Sequence, residues 1–166
     1  NPPPPLDLTT GRPRPAVQTH RGDRLPVRLP ASLTSSLKAL SREEGVTLFM
    51  LLLAACHTLL HRYTGQKDIT IGTPISGRNR PEITPLIGYF ANTLVMRADL
   101  SDDPEFRAFL AQVRRVALEA YENQDIPFDR LVEELQPERD LSRSPLFQVM
   151  LVLQNTPMNV IELPGL

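Results

Sequence analysis

From Leu48 to Cys56 the chain carries nine consecutive apolar residues, and Leu59 and Leu60 extend that surface around almost the whole circumference of a helix. A helix of this kind must be surrounded by other elements, so the fold has to be layered. The run is too short to cross a bilayer, which takes about 18 apolar residues or more. Thr47 before it has the chemistry of an N-cap and Gly65 that of a stop, which predicts a buried helix ending near Tyr63.

The rest of the sequence says what surrounds that helix. Leu25, Val27 and Leu29 alternate with Arg24, Pro26 and Arg28, the period of a strand, and Pro26 confines that strand to an edge or a short ladder. Residues 33–44 read as an amphipathic surface helix stopped by Gly45, and Asp68–Ile75 as a strand. The stretch 76–90 holds Gly77, Pro81, Pro85 and Gly88, which excludes one regular element and predicts a long structured loop. A second strand is predicted from Ala91 to Asp99. After it comes a helix with Asp103 as N-cap, Pro104 in its first turn, and Phe106, Phe109, Leu110, Val113, Val116, Ala117, Ala120 and Tyr121 at helical spacing. Pro127 opens a short helix to Leu135, a polar loop runs from Pro137 to Pro145, and Leu146–Leu153 is almost continuously apolar, as in a strand covered on both faces. Strands alternating with helices predict an α/β domain, helices packed on a sheet of at least four strands.

Of 17 prolines, eight fall in the first 30 positions. Pro2–Pro5 and the Arg-Pro-Arg-Pro of residues 12–15 favour extended polyproline backbone, so residues 1–20 read as a connector leading into a domain at 21–166. A chain that opens Asn-Pro, with neither an initiator Met nor a signal pattern, reads as part of something longer. Eighteen basic against 19 acidic residues give a net charge of -1, without the excess that nucleic-acid binding requires. No membrane partner is expected either. The single cysteine, Cys56, forms no internal disulfide and no thiolate cluster, which points to the cytoplasm.

Candidates for chemistry fail on detail. His57 and His61 have the i, i+4 spacing of a zinc pair, but position 58 is Thr where a metalloprotease carries Glu, and no third ligand is indicated. They read instead as polar breaks at the wet end of the buried helix, and His20 as a structural residue of the connector. Cys56, inside the apolar helix, reads as a packed small hydrophobe rather than a nucleophile. Gly72 to Asn79 has the G-x4-G frame of a phosphate loop, yet Arg78 and Asn79 replace its Lys and Ser/Thr, and Pro74 removes an amide. Ser76 lacks the preceding glycine of a nucleophile elbow. The residues alone define an α/β domain with a conspicuous strand-loop-strand and no complete catalytic set.

Four segments in order nevertheless form a recognisable series: Ile71-Gly-Thr-Pro-Ile-Ser-Gly-Arg78, Leu86-Ile-Gly-Tyr-Phe-Ala-Asn-Thr-Leu-Val-Met-Arg97, Tyr121-Glu-Asn-Gln-Asp-Ile-Pro-Phe-Asp-Arg-Leu-Val132, and Arg139-Asp-Leu-Ser-Arg-Ser-Pro-Leu-Phe-Gln-Val149. Together they resemble the condensation domains of nonribosomal peptide synthetases, which share the chloramphenicol acetyltransferase fold. The stretch Leu6–Pro15 is similar to the segment that joins the two lobes of such domains. Epimerisation domains share the fold but match these segments less well, and plant-type acyltransferases carry a tryptophan motif that this tryptophan-free chain lacks.

The resemblance implies a C-terminal lobe, a two-layer sandwich of a mixed sheet with packed helices, separated from the first lobe and its H-H-x-x-x-D-G signature. None of the three histidines here is adjacent to another, so no catalytic residue and no metal ligand is expected in this chain. The implied reaction joins an aminoacyl acceptor to a thioester donor, both carried on the phosphopantetheine arms of carrier proteins, with no cofactor bound directly. Thr73, Ser76, Gly77 and Arg78 would stand at the end of a tunnel-lining strand. Arg78 either pairs with an acid across the lobe interface or braces its own loop through an ion pair. Asn92 either faces the channel or hydrogen-bonds at the strand end. The 124–128 turn and Arg139, Asp140 and Arg143 would hold local structure. The partners implied are the N-terminal lobe and the donor and acceptor carrier proteins. An alternative is a non-catalytic module that docks a carrier protein through Arg114, Arg115, Arg130, Arg139 and Arg143. A lone lobe would expose the apolar face that meets its partner, which predicts self-association.

Overall fold

The computed structural model describes residues 2, 4–8, 14–19 and 21–154. His20, the connector residues 9–13 and the stretch from residue 155 onward lie outside the described residues. Four helices and two strands follow in the order α1 (Ala31–Glu43), α2 (Leu48–Thr64), β1 (Asp68–Ile75), β2 (Asn92–Asp99), α3 (Phe106–Glu122) and α4 (Phe128–Leu135), with one short 3-10 turn at Pro81–Ile83.

The buried helix forms as its ends dictate. Thr47 Oγ1 accepts from the Met50 amide at 3.2 Å, and Gly65, at φ 73°, donates its N–H back to the His61 carbonyl. Leu51, Leu53, Ala54 and Leu60 of α2 enter the core with Ile69 and Ile71 of β1, Met96 of β2, and Phe109, Leu110 and Val113 of α3. Each such side chain withdrawn from water contributes about 1.5–3 kcal/mol, so these few positions dominate stability. The burial is not circumferential: Ala55, Leu59 and Tyr63 leave an exposed stripe on α2. Nor is His57 at a wet end. It is 1% exposed, edge-on to Phe109, and its Nδ1 has no hydrogen-bond partner among the described residues.

β1 and β2 pair antiparallel, Asp68 opposite Asp99 and Ile75 opposite Asn92. The apolar tail of the chain completes the surroundings of β1 in an unexpected way. Residues 149–151 run parallel along its other edge, where Gly72 donates to the Val149 carbonyl and accepts from the Leu151 amide. The sheet therefore has mixed hydrogen bonding, but among the described residues it has two strands and a bridge rather than four strands. Leu146 explains why its segment is not a full strand: it sits at φ 64° after Pro145, which turns the chain before the extended stretch begins.

Two other expectations change. Residues 24–29 keep their alternation but form no strand, and every one of them is exposed. The helix predicted from Asp103 begins at Phe106, because Pro104 disfavours helical backbone in the residue before it and Asp103 turns at φ 46° with its N–H on the Leu100 carbonyl. The connector is anchored where it is described: Leu6 is buried, its amide donates to Gln148 Oε1, and Gln66 Nε2 donates to the Pro5 carbonyl. No single helix among the described residues is long and apolar enough to cross a membrane.

Candidate functional site

The antiparallel register places Ile75, the last residue of β1, opposite Asn92, the first of β2. Loop 76–91 therefore leaves and returns at one end of the sheet, and its neck is tight. Gly77 has φ 62°, and a Cβ there would lie 1.9 Å from the Phe90 carbonyl oxygen, so only glycine fits.

Arg78 fills the loop from inside. Its Nη1 donates to the carbonyls of Ile83 (2.7 Å), Thr84 (3.2 Å) and Leu86 (2.8 Å), and Nη2 donates to that of Gly88 (3.1 Å). The guanidinium stacks 4.6 Å from the Phe90 ring centre. A loop with two prolines has few amides to satisfy its own carbonyls, and a planar fork of donors supplies what they lack. Arg78 thus braces its own loop, but through carbonyls and a ring rather than through the expected ion pair. Ser76 is exposed, and its Oγ accepts weakly from the Arg78 amide at 3.4 Å.

Asn92 fixes the other side of the loop. Its Nδ2 donates to the carbonyls of Gln124 (2.9 Å) and Ile126 (2.7 Å), and its Oδ1 accepts from the amides of Phe128 and Thr93. Three of these four bonds go to the α3–α4 junction and one to the next residue of β2, and together they use the whole capacity of the side chain. Asn79 adds a second clasp, donating to Asp125 Oδ1 at 3.1 Å. Sequence reasoning did not find this clasp, because nothing in the spacing of two polar residues 46 apart signals their contact.

The fourth segment joins from the side. The Thr70 hydroxyl donates to the Leu146 carbonyl, and Phe147 lies directly over Gly72, whose added Cβ would come within 2.6 Å of its ring. Phe147 also packs against Phe128 with ring centres 5.5 Å apart. Thr73 is buried in β1, opposite Leu94. The four segments of the recognised series are therefore linked: the first to the second along β1 and β2, the second to the third through Asn92, and the fourth to the first and third through Phe147. The result is a braced, largely polar rim whose carbonyls and amides are committed internally, with Ile87 and Tyr89 projecting almost fully exposed from the loop.

Other candidates do not join this rim. Burial pushes the Cys56 thiol up, away from a reactive thiolate. His61 donates from Nδ1 to the Gln66 carbonyl, and no group of metal-ligating side chains is assembled among the described residues. Arg130 pairs with Glu133 and Glu134 and Arg143 with Asp140, so two members of the expected basic surface are neutralised within their own segments.

The family profile described as "Condensation domain" matches residues 2–163, and the chain belongs to that family. It is similar to one of the linear gramicidin synthase proteins of Brevibacillus parabrevis, 62% identical over 154 residues that make up 93% of this chain and 2% of the relative. In solved structures it is similar to holo-AB3403, a four-domain nonribosomal peptide synthetase bound to AMP and glycine. That match has a TM-score of 0.86 at 34% identity and covers 93% of this chain and 12% of the other. It is also similar to the X-domain of teicoplanin biosynthesis solved in complex with OxyB, with a TM-score of 0.82 at 34% identity over 87% of this chain and 32% of the other. The chain thus spans a small part of each relative's length. The condensation-domain neighbours carry the α/β fold named from the sequence motifs.

Proposed function

We propose that this chain is the C-terminal lobe of a nonribosomal peptide synthetase condensation domain and forms one wall of the channel in which two carrier-bound substrates meet. The observation that carries this reading is that the four segments are linked to one another around β1, β2 and the braced loop 76–91. In the reaction, the amine of the acceptor attacks the donor thioester carbonyl. A C–N bond forms, the C–S bond breaks, and the donor arm leaves as its phosphopantetheine thiol with the proton the amine gives up. Holding two tethered ends at one point supplies much of the acceleration in such a step, and it demands rigid walls.

Thr73, Ser76, Gly77 and Arg78 form the edge of that wall. Gly77 and Arg78 fix the shape of loop 76–91, and Asn92 is a positioning residue that ties the loop to the α3–α4 junction. With no adjacent histidine pair in the sequence, the lobe is inactive alone and depends on the N-terminal lobe for the group that handles the amine proton. Its further partners are the donor and acceptor carrier proteins, and residues 1–20 are the connector between lobes. The work takes place in the cytoplasm, and the isolated lobe self-associates through exposed apolar residues such as Ile87 and Tyr89.

A second reading is a non-catalytic docking module, favoured by the likeness to an X-domain solved in complex with another protein. Mass-spectrometric detection of amide from loaded carrier proteins separates the two. The first reading expects amide when the N-terminal lobe is added, and the second expects none with any lobe.

A further inference from the structure

Residues 5–8 are held as a strand is held, but by side chains. Gln66, which follows the Gly65 stop of α2, accepts from the Asp7 amide through Oε1 at 2.7 Å and donates through Nε2 to the Pro5 carbonyl at 3.1 Å. On the opposite side the Leu6 amide donates to Gln148 Oε1 at 2.6 Å. In an extended chain successive residues present their backbone groups to opposite edges, so Pro5 and Asp7 face one glutamine and Leu6 the other. A primary amide carries both a donor and an acceptor, which lets Gln66 pair with this backbone as a neighbouring strand would. Proline fits at position 5 because only its carbonyl is used. The Leu6 side chain is 3% exposed within the core and Leu8 packs against the same cluster, while Asp7 is exposed.

Gln148 passes the contact on. Its Nε2 donates to the Ser144 carbonyl at 3.1 Å, so one side chain ties the Leu6 amide to the turn that precedes Leu146. Both neighbours of Gln148 bear on β1: Phe147 lies over Gly72, and the Val149 carbonyl accepts from the Gly72 amide. Among the described residues, segment 146–151 meets β1 through three hydrogen bonds, from the Thr70 hydroxyl to Leu146, from Gly72 to Val149 and from Leu151 to Gly72. A pairing this short is marginal without further support. The Gln66 side chain, by contrast, hydrogen-bonds only Pro5 and Asp7 among the described residues.

We propose that Gln66 and Gln148 are positioning residues, which use the docked segment Pro5–Leu8 to hold Phe147 and residues 149–151 against β1. Gln148 acts directly, through the Leu6 amide and the Ser144 carbonyl. Gln66 acts at a distance, by keeping Leu6 seated. The proposal deepens the reading of the rim as a channel wall and rests on that reading only for what the wall serves. In it, residues 5–8 belong to the wall instead of forming a slack tether, and Phe147 keeps its place over Gly72 only while Leu6 stays in the core.

The test reads amide exchange and Gly72 proton shifts by NMR on this chain alone. It needs neither carrier proteins nor a second lobe, so its failure is distinct from failure of the channel reading, which the amide-formation assay reports. The Phe147 ring lies where a Gly72 Cβ would be, so one Gly72 Hα points at the ring and carries its ring-current shift. Gln66→Ala should speed exchange at Leu6 and Asp7 by about a hundredfold and at Gly72 and Leu151 by about tenfold, and should move the Gly72 Hα signal toward its unshifted value. The amides of Ile71 and Met96, opposite one another in the β1–β2 ladder, should stay within about twofold. Leu6→Ala keeps the backbone clasps but removes the plug, and should give the same pattern. Release of Leu6 and Asp7 with Gly72 and Leu151 unchanged would overturn the proposal, because the segment would then be a passive tail. Equal acceleration at Ile71 and Met96 would overturn it by making Gln66 a general stability residue, and unchanged exchange at Leu6 and Asp7 would remove Gln66 as a hold at all.

Discussion

His57 is an imidazole enclosed by hydrocarbon on α2, and burial pushes its pKa down from 6.5 to about 4. The folded chain therefore holds it neutral, while the unfolded chain takes up a proton below pH 6.5. Stability is unaffected above that pH and is lost as pH falls toward 4, by about 3 kcal/mol across the window. Asp99 and Asp140 are held below the usual carboxylate value by hydrogen bonds from Ser101 and Ser142, so their stabilisation is lost only below pH 3.8, outside that window. Urea midpoints at pH 7 and pH 4.5 should thus diverge in the native chain and converge in His57→Leu; an unchanged pH dependence in the variant would remove His57 as the cause. Two glycines give a second expectation. Gly72→Ala forces the Phe147 ring off β1 against Phe128 and should cost about 1–3 kcal/mol by thermal unfolding. Gly77→Ala meets the Phe90 carbonyl, which cannot swing aside, at a backbone angle that alanine resists, and should cost about 2 kcal/mol or more.

Loop 76–91 and the α3–α4 junction act as one unit because Asn92, where the loop re-enters β2, bonds to the junction and Asn79 within the loop bonds to Asp125. Asn92→Ala strands two carbonyls and the Phe128 amide, and should destabilise the chain by about 2–3 kcal/mol. Asn92→Asp keeps the acceptor for the Phe128 amide but faces the Gln124 and Ile126 carbonyls with a second oxygen, so it should be no better than Ala by chemical denaturation. Arg78→Lys replaces a planar fork by a point donor that cannot reach four carbonyls. Limited proteolysis should then cut within residues 79–90 while α2 and α3 remain intact; equal resistance in the variant would count against the brace. The helices and both strands were legible because local signals set them: Thr47 and Gly65 for α2, the apolar spacing for α3, alternation or continuous burial for β1 and β2. What was not legible depends on neighbours far along the chain. Leu25–Leu29 has a strand's pattern without a ladder here, and Leu146–Leu153 divides between covering β1 and lining its edge. The carbonyl cage of Arg78 and the Asn79–Asp125 clasp come from how the loop closes, which no periodicity encodes. The motif resemblance located the rim, while its internal bonding emerged only from the geometry.

As a whole the chain has a closed core on one side of the sheet and exposed apolar residues at Leu25, Val27, Ile87 and Tyr89. That distribution fits half of a larger body, and light scattering at tens of micromolar should find the isolated chain above its monomer mass. A strictly monomeric chain at that concentration would argue against an uncovered lobe face. In the proposed function the rim supplies shape and rigidity, and the sequence holds no adjacent histidine pair to manage the proton, so this chain alone is expected to form no amide. Donor and acceptor carrier proteins loaded with their thioesters, with this chain as the sole addition, should yield no amide above the spontaneous background by mass spectrometry. Adding an N-terminal lobe should restore turnover. Amide formed by this chain alone would contradict the account, because the chemistry would then have to reside on Ser76, Arg78, Asn92 or one of the histidines.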